Sequence, residues 1–190
     1  MKKVLVLLLV TVMLFSGCVS SENKKIVRES LESYFQYLNL GEFDEANKMT
    51  VQAEEDISAD IENVSVNKLI FQNIKYEIWD IYEEGDFLVA ETVITQKSLK
   101  AAYIDTVSEY ASYVESAKAQ NKSFTDSALE DKWNEIFYKH VASTKETITL
   151  KCEIRLIPYS DGTVEIYMTS QFRNCLFGGE LDAIKALQKG

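Results

Sequence analysis

The sequence predicts an α+β domain in which a curved antiparallel sheet packs against helices. Three observations carry that prediction. Residues 24–40 place apolar side chains at helical spacing. Two later stretches alternate apolar and polar residues around glycine-containing turns, and two more amphipathic helices lie between those hairpins. Helices and antiparallel strands segregated along one chain form this class of architecture.

In the first helix, Ile26, Val27, Leu31, Tyr34, Phe35 and Leu38 form one stripe, as expected of a helix with one face on a core. Gly41 is placed to end it with a left-handed residue. A short helix over 42–51 and a polar stretch over 52–63 follow. The period then changes to two, which predicts strands over 66–82 and 87–96 joined at Glu83-Glu84-Gly85-Asp86.

Helices over 99–119 and 126–143 come next and form an extra pair inserted between the two β-hairpins. Thr125 is the expected N-cap of the second, with Phe124 and Leu129 as a hydrophobic staple. In the final hairpin Ile148, Leu150, Cys152, Ile154 and Leu156 alternate with polar residues, and the partner strand runs from Val164 to Phe172. A loop at Ser160-Asp161-Gly162, with Gly162 left-handed, sets Leu156 opposite Ile166, Ile154 opposite Met168 and Leu150 opposite Phe172. A helix over 180–188 closes the chain.

Composition limits what such a domain does. The chain has 30 acidic and 20 basic residues, a formal charge of −10. Nucleic-acid binding rests on neutralising phosphates with Lys and Arg, so this balance argues against it. Twenty-one aromatic residues and a single proline, Pro158, fit one folded domain with a real core.

The N-terminus reads as an export signal. Lys2 and Lys3 precede an apolar run from Val4 to Phe15, then Ser16-Gly17-Cys18. A run of about a dozen residues is shorter than the roughly 20 that a membrane-spanning helix needs. The stretch Leu14-Phe15-Ser16-Gly17-Cys18 resembles the bacterial lipobox, departing from it at Phe15. That resemblance implies cleavage after residue 17 and a diacylglyceryl (palmitate-type) thioether on Cys18. Two acyl chains suffice for stable anchoring, since each buried CH₂ contributes about 0.8 kcal/mol. The expected plan is a signal peptide over 1–17, a lipidated polar tether over 18–25 and a single domain over 26–190. The expected location is the cell membrane, lipid-anchored on its extracytoplasmic face.

The segment Ser30 to Met49, SLESYFQYLNLGEFDEANKM, resembles the opening helical hairpin of nuclear-transport-factor-two-like (cystatin-like) lipoproteins of Gram-positive bacteria. The closing Leu176-Phe177-Gly178-Gly179-Glu180-Leu181 is similar to their ending. The resemblance implies a curved sheet wrapped around helices with a cavity between them.

No metal, nucleotide or hydrolase motif is present in the sequence, and no cofactor is expected. With Cys18 lipidated, Cys152 and Cys175 remain. The expected register puts them on opposite sheet faces, hence two free thiols, with a bridge only if a bulge brings them together. His140, the lone histidine, is expected at the edge of the core with one hydrogen bond. Asp80 and Glu91 form the most suggestive pair. With Tyr82 opposite Phe87, they lie on a diagonal of about 7–8 Å. Among apolar neighbours such carboxylates would acquire the raised pKa that suits acid–base work. If the opposite face, that of Trp79, Ile81, Leu88 and Ile94, is the buried one, they are simply solvated.

These features point to a non-enzymatic binding module of the cell envelope, holding a small apolar ligand, a peptide or another envelope protein. The alternative is a small cavity enzyme of isomerase, dehydratase or hydrolase type using Asp80, Glu91 or His140.

Overall fold

The helical stripe becomes α1 (Ser21–Leu40) in a computed structural model of the chain, which describes residues 19–52 and 64–188. Ser20 caps it by accepting a hydrogen bond from the Asn23 N–H at 3.0 Å, and Gly41 ends it at φ 75°. This helix begins earlier than the sequence reading had it, because Ser20 is a good N-cap and Val19 before it is buried in the core. The polar stretch expected as a tether is therefore the first helical turn, and the folded body reaches back to Val19.

After α2 (Phe43–Lys48), residues Thr50–Gln52 form β1 rather than continuing a helix. Strand β1 pairs parallel with a later strand, Thr50 opposite Ile166. The sheet is thus mixed, not wholly antiparallel as expected.

The long strand expected over 66–82 is in fact two elements. Helix α3 (Val64–Phe71) comes first, then β2 (Lys75–Glu84). Asn67, Ile70, Phe71 and Ile74 are all buried, a helical spacing that the period-two reading passed over. Asn73, at φ 70°, reverses the chain between the two elements, a role asparagine tolerates better than most residues.

Strand β3 (Phe87–Lys97) follows β2 through the two-residue turn Gly85-Asp86, with Glu84 opposite Phe87 and Tyr82 opposite Val89. This corrects the expected pairing of Tyr82 with Phe87. A bulge at Trp79 then shifts the ladder between Ile78 and Asp80.

The inserted pair is α4 (Leu99–Ala119) and α5 (Asp126–Ser143), the latter capped by Thr125 as expected. Strands β4 (Thr147–Pro158) and β5 (Val164–Met168) form the final hairpin. Leu156 faces Ile166, Gly162 has φ 85°, and the Tyr159 N–H donates to the Thr163 carbonyl at 2.9 Å. Beyond Met168 the expected strand is replaced by α6 (Ser170–Leu176). Thr169 caps it by accepting from the Phe172 N–H at 3.1 Å, and Phe172, Cys175 and Leu176 bury one face. Phe172 therefore lies in a helix and is not a strand partner of Leu150, which pairs with Ile94 of β3. Helix α7 (Glu180–Leu187) ends the described chain.

The protein is thus α+β: an open five-stranded sheet, ordered β1-β5-β4-β3-β2, packed against helices. Helices α1, α3 and α6 cover one face of the sheet. Leu31, Phe35, Phe71, Ile154, Leu156, Ile166 and Phe172 meet between the layers, each under 2 % exposed. Phe35 stacks on Tyr76 with centroids 4.2 Å apart. The inserted helices join two neighbouring strands, β3 and β4, and pack chiefly against α7 and α3.

Candidate functional site

Strand alternation settles which face is which. Ile81, Ala90, Ile154, Leu88, Leu156 and Ile166 enter the core. The alternate residues, among them Tyr82, Glu91, Lys151, Glu153, Arg155 and Tyr167, stand on the opposite, outer face.

That outer face is built from cations held between rings and carboxylates. Lys151 lies 2.8 Å from Glu91 and 5.1 Å from the centre of the Trp79 ring. Arg155 lies 2.6 Å from Glu84 and 5.5 Å from the Phe87 ring, which packs on Tyr167 at 5.3 Å. Burial, followed by the charge of the Glu153 carboxylate, pushes the Tyr82 hydroxyl up to about 12. Beneath this layer Val89 is wholly buried. Trp79, expected on the face of Ile81, Leu88 and Ile94, is instead the bulge residue and 56 % exposed. None of these cations and rings was singled out from sequence. The dipeptide Gly85-Asp86, read as a two-residue turn, is the signal that places them on one face.

Asp80 and Glu91 are brought closer than the diagonal expected of them. They are direct cross-strand partners, and Glu153 lies opposite Glu91 on the next strand. Their surroundings, however, are those of a solvated face. Asp80 is exposed and accepts the Ile81 N–H at 2.8 Å, while Glu91 is engaged by Lys151.

His140 belongs to a different region. On α5 its Nε2 lies 2.9 Å from a Glu109 carboxylate oxygen on α4, and Lys139 approaches the same carboxylate at 2.7 Å. The Lys139 hydrogen bond, more than that of His140, holds the Glu109 carboxyl below its usual range. Around them Tyr103, Tyr110, Trp133 and Phe137 form edge-on ring contacts that clasp the helical pair. None of these contacts joins His140 to Asp80 or Glu91.

Cys152 and Cys175 are free thiols, both buried, yet they are not on opposite faces. Cys152 points inward from β4, and α6 turns Cys175 into the same core, its thiol donating at 3.8 Å to the carbonyl of Lys151 beside Cys152. The expected separation assumed a strand where a helix forms. Cys18 lies outside the described residues.

Large side chains, among them Phe35, Phe71 and Phe172, pack between sheet and helices. Two clefts among the described residues open to solvent. One of about 300 Å³ is bounded by Glu32, Gln36, Asn39 and Leu40 beside the Phe35–Tyr76 stack. Another of about 350 Å³ lies between Asn23 and the Gly85-Asp86 turn. Such volumes fall at the lower end of ligand sites, which are enclosed and mostly apolar. Among the described residues no group of three or more His, Cys, Asp or Glu side chains is placed to hold a metal ion. No described helix is long and apolar enough to cross a membrane. No family model, curated protein or solved structure matches the chain.

Proposed function

We propose that the chain is an extracytoplasmic lipoprotein anchored through diacylglyceryl-Cys18, with a nuclear-transport-factor-two-like (cystatin-like) body that serves as a non-enzymatic binding module for another envelope protein. The anchor rests on the lipobox-like Leu14-Phe15-Ser16-Gly17-Cys18 following a short apolar run. The start of the body supports it in a particular way. Val19 is buried and Ser20 caps α1, so the lipid-bearing residue is bonded to the first residue of the core. Adjacent α-carbons are about 3.8 Å apart, and no slack separates lipid from body. The domain would be held against the bilayer surface.

The observation that carries the binding reading is the packed layer between sheet and helices, where Phe35, Phe71 and Phe172 are buried. Recognition is then a matter of surface. The outer sheet face offers rings and paired charges, with Trp79 standing out from its bulge. Tryptophan and arginine are the residue types that most often dominate protein interfaces.

The test is cross-linking in the native host, followed by purification of the body and native mass spectrometry. A discrete protein adduct, cross-linked through the outer sheet face and absent from Trp79→Ala, is the expected result. A body carrying one equivalent of a small molecule in its interior, with no protein adduct, would overturn the reading.

A further inference from the structure

We propose that Cys152 and Cys175 are the site of an intramolecular disulfide that staples α6 to β4 when the chain folds in the presence of a small disulfide oxidant. The two residues are 1 % and 3 % exposed and lie in the same core. The Cys175 thiol donates to the carbonyl of Lys151, the residue before Cys152, at 3.8 Å. The helix that presents Cys175 is itself held in place. Gln96, buried on β3, donates its side-chain N–H to the Cys175 carbonyl, and Phe172 one turn earlier is fully buried. Two thiols are therefore fixed side by side, 23 positions apart in sequence, by three neighbouring elements.

A disulfide bond of about 2.05 Å then requires that the seven-residue α6 seat Cys175 against Cys152 of β4.

The chemistry balances with a disulfide R–S–S–R as oxidant. The Cys175 thiolate attacks one sulfur of R–S–S–R, forming a Cys175–S–R mixed disulfide and releasing one R–S⁻. Cys152 then loses its proton to water and attacks the Cys175 sulfur, forming the Cys152–Cys175 bond and expelling the second R–S⁻. The protein gives up two electrons and two protons, and the oxidant becomes two thiols. Both sulfurs are out of reach once α6 is docked, so the exchange belongs to folding, before the core closes. The inference is independent of the proposed anchor and of any binding partner.

The test uses the full chain with Cys18→Ser, unfolded, reduced and then refolded in a mixture of reduced and oxidised glutathione. It is afterwards denatured and treated with iodoacetamide. The expected product takes up no alkyl group and is two hydrogens lighter than the reduced chain. Its tryptic digest should contain Cys152–Arg155 joined to Asn174–Lys185. Its melting temperature should exceed that of the reduced protein by roughly 5–10 °C, a gain absent from Cys152→Ala and Cys175→Ala. Full alkylation of both thiols after refolding, or disulfides that join separate chains, would overturn the proposal. The mass readout holds even where an alanine variant folds poorly.

Discussion

Gly178 lies so close to Lys97 that a β-carbon built on it would stand 2.1 Å from the Lys97 carbonyl oxygen. Its own carbonyl accepts the Lys100 N–H at 3.2 Å, so the turn after α6 is fastened to the start of α4. Gly178→Ala should therefore fail twice, by collision with backbone and by a left-handed φ of 53°. The expected loss is about 3–5 kcal/mol in urea unfolding. Gly85→Ala is the control. It has φ 60° but nothing within 4 Å of the added carbon, and should cost only about 1–2 kcal/mol.

Thr169 carries the switch from β5 to α6. Its hydroxyl accepts the Phe172 N–H at 3.1 Å. Thr169→Ala should cost about 1 kcal/mol in urea unfolding, and Thr169→Ser should restore most of it.

These two places show what the sequence discloses and what it hides. Helix α1, the Thr125 cap, the inserted pair and the Leu156–Ile166 register were legible because a cap, a period or a left-handed glycine marks each one. The segment 64–84 was misread because Asn67, Ile70, Phe71 and Ile74 sit inside a run rich in β-branched and aromatic residues. There tertiary burial, not propensity, selects the helix. The Thr169 cap was equally visible in the sequence, but alternating apolar residues argued for a continued strand. One short turn then moved the candidate site. Reading Gly85-Asp86 as two residues rather than four puts Asp80 directly opposite Glu91. That Cys152 and Cys175 share one core could not be read, because it depends on where α6 docks.

The row Asp80, Glu91 and Glu153 runs across three strands. Like charges directly opposite oppose pairing. Asp80→Asn keeps an oxygen for the Ile81 N–H and removes one charge. It should raise stability by about 0.2–0.5 kcal/mol at low ionic strength, and the gain should fade in about 1 M salt. Urea unfolding at the two salt concentrations measures it.

Tyr82 should contribute to alkaline unfolding. Its folded pKa is about 12 against 10.0 for the free side chain, first through burial and then through Glu153. With the folded value raised, the unfolded chain loses its proton first. Stability is then fully present below about pH 10 and falls as pH rises towards 12. Tyr82→Phe should flatten that fall, read as a shallower decline of melting temperature between pH 9.5 and 11 (roughly the accessible window).

The most direct measurement concerns Cys18, one residue before the buried Val19. Wild-type chain and Cys18→Ser are expressed in a bacterial host, fractionated, and weighed by intact-mass spectrometry. The expected result is wild-type protein in the membrane fraction, starting at Cys18 and heavier by a diacylglyceryl group, with Cys18→Ser released in folded form. A Cys18→Ser protein that stays with the membrane, or a wild-type chain that bears no lipid, would contradict the anchored reading.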